Sequence, residues 1–200
     1  MLSELLGPSA APLSGEHWPC GDAHDPESGF RWYYHSHAGQ GRRDREHGHF
    51  HLFADCGSDE AGDSAVTHLL AIGMDARGLP LRLFTTNRWV SDDRWQPGGR
   101  VLALSKRFTL LKPRRWKLIH DWLSGLLRAF RPQLELLLTE RDDRIDRLVH
   151  AGCRQPLEDR RVTVLSWCPI DLVAQAEGLE RAVRPRRHAS VVPYSYRRSA

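Results

Sequence analysis

The sequence predicts an α+β fold, an antiparallel β-sheet of about four to five strands with helices packed on one face. Two observations predict it. In the first half of the chain, apolar and polar side chains alternate with the period of two that is typical of strands. From Val101 to Leu148, apolar side chains instead recur at spacings of three and four residues, as in helices. Strands that come first and helices that follow favour a sheet with its helices gathered on one side.

Length and composition are those of one globular domain. The chain has 200 residues, 40% of them hydrophobic and 27% charged, and it contains no apolar run of the length that spans a membrane. We expect a disordered lead-in at 1–16, a single α+β domain at 17–184 and a flexible basic tail at 185–200. No secretory signal is recognisable, and the four cysteines form no CxxC pair. A cytoplasmic location with reduced thiols is therefore expected.

The basic charge of the chain is concentrated in its tail. The formal net charge is +4, and residues 181–200 contain six arginines and no acidic residue. Subtracting these six charges leaves residues 1–180 at −2. A nucleic-acid-binding domain usually carries a basic patch across its fold. We therefore expect no nucleic acid on the body of the protein, while residues 184–198 are candidates for contact with an anionic surface.

The first two strands are predicted at residues 29–37 and 46–53, joined as an antiparallel hairpin. Their apolar residues fall mostly on even positions, namely Phe30, Trp32, Tyr34, Phe50 and Leu52. Five histidines fall on odd positions, namely His35, His37, His47, His49 and His51. In an antiparallel pair of strands, the sequence numbers of two residues that lie opposite each other always add up to the same value. Their side chains lie on the same face of the sheet. Pairing His35 with His49, and His37 with His47, puts the apolar side chains under the helices and all five histidines on the other face.

The remaining elements follow from the same periodicities. Residues 17–28 are rich in turn formers and predict a polar loop, which adds His17 and His24 next to the first strand. The other predicted elements are a second hairpin at 66–74 and 79–86, helices at 101–111, 116–130 and 132–148, a strand at 161–167 and a helix at 170–183.

A row of imidazoles on one face of a sheet indicates a metal site. Imidazole is a preferred ligand of zinc and iron, and catalytic zinc typically takes three protein ligands and a water. The leading hypothesis is a divalent metal bound by His35, His37, His47, His49 and His51, in a metal-binding protein or a metal-dependent enzyme. By strict alternation Glu46 falls on the opposite face, so no carboxylate is expected to complete the set.

A second interpretation comes from the string HGHFHLF, from His47 to Phe53. It resembles the histidine-triad motif, in which histidines alternate with apolar residues. This resemblance implies a phosphoryl or nucleotidyl transferase or hydrolase, with His49 as the nucleophile and His47 and His51 beside it. The chain departs from the family in two ways, because this strand precedes the helices and because Gly48 replaces an apolar residue.

A longer stretch resembles a bacterial family known only as a domain of unknown function. The strings that carry the resemblance are EHGHFHLF and LLAIGMDARGLPLRLFTTNRWV, and the similarity spans roughly residues 17–180. It implies a self-contained bacterial domain and brings no established activity, cofactor or catalytic residue.

A third interpretation is a non-catalytic binding or interaction domain. Its histidine face would be inert, or would bind a protein, a small molecule or an anion. Separately, Arg82, Arg88 and Trp89 are candidates to line an anion pocket at the end of the sheet. The sequence leaves these three interpretations open, and with them whether the protein is an enzyme.

Overall fold

A computed structural model describes residues 16–36, 46–58, 64–109 and 116–183. The predictions made for the lead-in before residue 16, for His37 and for the basic tail lie outside these ranges. Within them the chain forms an open six-stranded antiparallel sheet with helices packed on it. The predicted α+β class is confirmed.

The strands follow one another in the sheet in the order of the sequence. They are β1 (Trp18–Asp25), β2 (Phe30–Ser36), β3 (Glu46–Ser58), β4 (Ser64–Asp75), β5 (Pro80–Thr86) and β6 (Val164–Pro169). The loop predicted at 17–28 is wrong, because most of it forms the edge strand β1. The register of β1 shifts between Trp18 and Ala23, where Gly21 and Asp22 both take positive φ. The turn-forming residues that suggested a loop lie in this irregularity.

The helices lie between β5 and β6 and after β6. They are α1 (Arg88–Ser91), α2 (Gly98–Ser105), α3 (Lys117–Ala129), α4 (Arg131–His150), a 3₁₀ turn (Pro156–Glu158) and α5 (Leu172–Val183). None of the helices in the described ranges is long and apolar enough to cross a membrane.

The register predicted for β2 and β3 is confirmed. Trp32 pairs with Leu52, Tyr34 with Phe50, and His35 with His49. The even-numbered apolar side chains of these strands belong to the core that packs against the helices, as alternation predicts. The ring of Phe50 lies 5.9 Å from that of Trp122 in α3. The other face of the same two strands is therefore left to the odd-numbered residues.

One buried histidine on the helical side makes stability depend on pH. His120 of α3 is 8% exposed, and neither ring nitrogen has a hydrogen-bond partner in the described part of the chain. Burial lowers its pKa to about 4, whereas in the unfolded chain it is about 6.5. Between these two values the unfolded chain binds a proton that the folded chain does not, so stability is complete above pH 6.5 and falls as the pH drops towards 4.

We therefore expect His120→Leu to reduce the loss of stability in acid. The difference in melting temperature between pH 7.5 and pH 5 should shrink by several degrees, measured by circular dichroism. His150→Leu is the matched control, because His150 is exposed at the end of α4. Equal changes in both variants would contradict this assignment.

Candidate metal centre

Three histidines converge on the face of the sheet opposite the hydrophobic core. His35 of β2 lies opposite His49 of β3, and His51 follows two residues later on the same side. One ring nitrogen from each of the three lies within 4.8 Å of the others. We call His35, His49 and His51 the histidine cluster. Its members are mostly buried, since His49 is 8% and His51 2% exposed.

The closest contact in the histidine cluster joins two ring nitrogens. Nε2 of His35 lies 2.6 Å from Nε2 of His49. Two ring nitrogens approach this closely only if one donates a proton to the other. Around tetrahedral zinc, with bonds of about 2.0–2.1 Å, two ligand nitrogens lie roughly 3.3 Å apart. The His35–His49 pair would open by about 0.7 Å to hold such an ion, a shift within reach of side-chain rotation.

A β-bulge brings a carboxylate to the histidine cluster. Glu46 pairs with Asp75 and Gly48 with Met74, so the register of β3 shifts between Glu46 and Gly48. Alternation is therefore reversed at this point. Glu46 lies on the side of the histidine cluster, and its Oε1 accepts a hydrogen bond of 3.0 Å from Nδ1 of His49. The expectation that Glu46 faces away is wrong.

The same bulge turns His47 away from the histidine cluster. Nδ1 of His47 is hydrogen-bonded to the hydroxyl of Tyr34 at 2.8 Å, on the side of the helices. The expected common face for His47, His49 and His51 is therefore not formed, although a histidine-triad arrangement would need it. Gly48 is part of the reason, because a Cβ there would lie 2.3 Å from the carbonyl oxygen of His35. The glycine that departs from the triad motif permits the bulge.

Glu46 is held in its position from two sides. Its Oε2 accepts a hydrogen bond of 2.6 Å from Nε of Arg82 in β5. Gly73 of β4 lies beneath it, where a Cβ would come within 2.4 Å of Oε2. Desolvation opposes ionisation of Glu46, but hydrogen bonds from His49 and Arg82, with the charge of Arg82, outweigh it and hold its pKa below the usual value. The ionised carboxylate fixes the proton of His49 on Nδ1, so its Nε2 carries the lone pair that faces Nε2 of His35.

His51 is oriented by a chain of hydrogen bonds that ends at a carboxylate. Its Nδ1 lies 2.9 Å from Nε2 of His68, and Nδ1 of His68 lies 3.2 Å from Oγ1 of Thr86. Thr86 contacts Ser91 at 3.4 Å, and Ser91 donates to Asp93 at 2.7 Å. A carboxylate only accepts, so Ser91 donates to Asp93, and a relay that continues through the 3.4 Å Thr86–Ser91 contact would make His68 donate to Thr86 and His51 to His68. The proton of His51 is then on Nδ1, and its Nε2 carries the lone pair.

Burial keeps His51 and His68 neutral. Desolvation, followed by the neighbouring imidazoles, holds the pKa of His51 well below its usual value. Desolvation also lowers the pKa of His68 to about 4. Neutral imidazole is the form that binds metals. At neutral pH His51 is therefore ready to act as a ligand.

The histidine cluster opens into a pocket of about 280 Å³. Besides the cluster, the pocket is lined by Tyr33, Glu46, Arg82, Phe84, Thr86, Val90, Thr163 and Val164. The ring of His17, outside the lining, stacks on Tyr33 at 3.6 Å and lies 6.0 Å from the ring of His35. The segment predicted to lie beside the histidine face does so through this residue.

Of the three residues predicted to line an anion pocket, only Arg82 lines the pocket described above. Arg88 and Trp89 have other partners. Arg88 donates to the carboxylate of Glu158, and the indole N–H of Trp89 donates to the carbonyl of Val162 at 3.0 Å. Both therefore fasten α1 to the segment before β6. The positions of Glu46 and His68 beside the site could not be predicted by alternation, because both depend on shifts in the register of β3.

Comparison with known families gives one match. A family model described as "Domain of unknown function (DUF6969)" matches residues 1–170. The matched range includes every residue of the histidine cluster and of the pocket. No curated protein and no solved structure matched the chain.

Proposed function

The chain belongs to the DUF6969 family, a domain of unknown function, and we propose that it binds a divalent metal ion, zinc or iron(II), through His35, His49 and His51. The observation that carries this proposal is the convergence of three imidazole nitrogens within 4.8 Å on facing strands. Three histidines are a recognised ligand set for catalytic zinc.

The surroundings of the histidine cluster also favour a ligand role. His49 donates to Glu46, and His51 to His68, so each presents Nε2 to the pocket. Metal-binding histidines almost always donate their second N–H to such an outer partner, which fixes the tautomer and raises the basicity of the ligand. Neutral imidazole nitrogens that converge from three rings are a ligand set that a divalent ion can share.

The pocket favours a metal-dependent enzyme over a structural metal site. Structural zinc sites are closed by four protein ligands, whereas catalytic sites keep a position for water or substrate. Here three histidines face a pocket of about 280 Å³. A metal with an open position supplies a Lewis acid or an activated water. The role of the protein would be to hold the imidazoles, fix their tautomers through Glu46 and His68, and shield the site under Phe84 and Val164.

The proposal is tested by metal uptake in protein purified without a histidine tag. The protein is incubated separately with zinc, anaerobic iron(II) and cobalt(II), passed through a desalting column and analysed by mass spectrometry of the elements. We expect about one ion per chain for at least one metal, as for a mononuclear site. Cobalt(II) bound by the nitrogens of the histidine cluster should also give absorption bands in the visible spectrum.

Two double variants separate this site from the other histidines. His35→Ala with His51→Ala should abolish the uptake. His47→Ala with His150→Ala removes two histidines outside the cluster and should leave the uptake unchanged. A wild type that remains free of all three metals, or equal uptake by the two double variants, would rule the proposal out.

A further inference from the structure

The pocket has a polar end at the histidine cluster, and Arg82 belongs to it. Nε of Arg82 donates to Glu46 at 2.6 Å, and the carbon of the guanidinium lies 4.5 Å from the centre of the Phe84 ring. These two contacts hold the guanidinium at the edge of the pocket. Its two Nη groups carry four further N–H donors.

The charges at this end do not balance once a metal is present. Among the described residues that line the pocket, Glu46 is the only acid and Arg82 the only arginine or lysine, so their charges cancel. A divalent ion at the histidine cluster would therefore leave about two positive charges in a largely buried place, where an unbalanced charge is costly. An anionic ligand would reduce this excess.

Apolar side chains form much of the remaining lining of the pocket. They are Phe84, Val90 and Val164, and Phe84 lies next to the histidine cluster, with its ring 5.1 Å from that of His49. The volume of about 280 Å³ equals that of about nine waters in the liquid, at roughly 30 Å³ each. It is near the lower limit for small-molecule sites, so the pocket suits a ligand of about ten non-hydrogen atoms.

We propose that the pocket binds a small organic carboxylate as the substrate or co-ligand of the metal. The inference rests on the proposed metal site. The carboxylate is held between the metal at the histidine cluster and the guanidinium of Arg82, and the apolar body contacts Phe84, Val90 and Val164. A planar carboxylate matches the planar donors of a guanidinium, and the apolar wall favours an organic acid over inorganic phosphate.

The test uses the cobalt(II)-loaded protein, in which a new ligand on the metal changes the visible spectrum. The probe is benzoate, a flat carboxylate of nine non-hydrogen atoms, and the comparison compounds are its neutral analogue benzamide, acetate and inorganic phosphate. We expect benzoate to change the spectrum with saturation, acetate to bind more weakly, and benzamide and phosphate to have little effect at equal concentration.

Two variants connect the response to the pocket. Arg82→Gln should weaken benzoate at least about tenfold, since a charge-assisted hydrogen bond is lost. Val164→Phe should lower the affinity for benzoate, because the larger ring takes up space beside the apolar lining of the pocket, whereas acetate should still bind. Both variants are compared at saturating cobalt, with the metal content measured in each sample, because Arg82 also holds Glu46.

The outcomes separate this inference from the metal site itself. A lack of cobalt uptake would contradict the proposed function before any anion is added. Normal uptake without a response to benzoate or acetate would overturn the inference alone. It would also be overturned by equal binding of benzoate and benzamide, by tighter binding of phosphate than of benzoate, or by unchanged benzoate affinity in Arg82→Gln.

Discussion

Replacing His49 by alanine is expected to lower the metal affinity by more than about 100-fold, the largest effect of any single substitution at the site. His49 is central to it, because its Nε2 lies 2.6 Å from His35 and its Nδ1 donates to Glu46. Loss of a residue that hydrogen-bonds a metal ligand typically lowers the metal affinity about 10–100-fold. His49→Ala removes the ligand itself together with its hydrogen bond to Glu46. The affinity is measured by competition with a coloured chelator at pH 7.5.

His47→Ala is the matched control for this prediction. His47 lies on the same strand, two residues away, but it contacts Tyr34 on the helical side of the sheet. We expect the metal affinity of this variant to stay within about threefold of the wild type. Glu46→Gln should fall between the two variants, about 10–100-fold below the wild type, because the amide is a weaker acceptor for His49. Equal losses for His47→Ala and His49→Ala would show that the bulge does not separate the two residues.

The pairing of β2 with β3 could be predicted because it depends on a local rule. Alternation over a few residues fixes which side chains share a face, and a one-residue slip would turn every apolar side chain outward. The core residues Trp32, Tyr34, Phe50 and Leu52 are therefore found where the sequence predicts them. The His35–His49 pair follows from the same register.

The other parts of the site could not be predicted because they depend on irregularities of the sheet. The shift between Glu46 and Gly48 exchanges the faces of Glu46 and His47, and alternation cannot indicate it. Only Gly48 gives a local signal, since glycine within a strand often marks a bulge. Gly73 leaves room for the carboxylate of Glu46, since a Cβ there would come within 2.4 Å of Oε2. It lies on another strand, so this contact cannot be predicted from the residues near Glu46 in the sequence.

His68 shows the same limit at longer range. Its face depends on how β3 pairs with β4, and that register shifts between Leu52 and Phe53. The shift sets Phe53 opposite His68, and Nε2 of His68 lies 2.9 Å from Nδ1 of His51. A histidine in an apolar strand is therefore a partner of the site, although its own neighbours in the sequence do not indicate this.

The second large effect concerns the helical side of the sheet. Trp32→Ala is expected to lower the free energy of unfolding by about 3–5 kcal/mol, as for other buried aromatic residues. Trp32 is fully buried, and its ring lies 5.6 Å from those of Phe50 and His120. Its indole N–H has no hydrogen-bond partner in the described ranges, so the loss comes from packing and from the cavity. Urea denaturation followed by circular dichroism measures it.

Trp167→Ala provides the comparison, because Trp167 lies on the edge strand β6 and is 57% exposed. Substitutions of exposed residues usually change the free energy of unfolding by less than about 0.5 kcal/mol. Because tryptophan is large, we expect Trp167→Ala to lower it by at most about 1 kcal/mol.

Trp32 is on the opposite face of β2 from His35. In the folded fraction of Trp32→Ala the histidine cluster should therefore still take up metal, and saturating zinc should raise the midpoint of unfolding. A cost for Trp32→Ala no greater than that for Trp167→Ala would contradict the assignment of the even-numbered residues to the core.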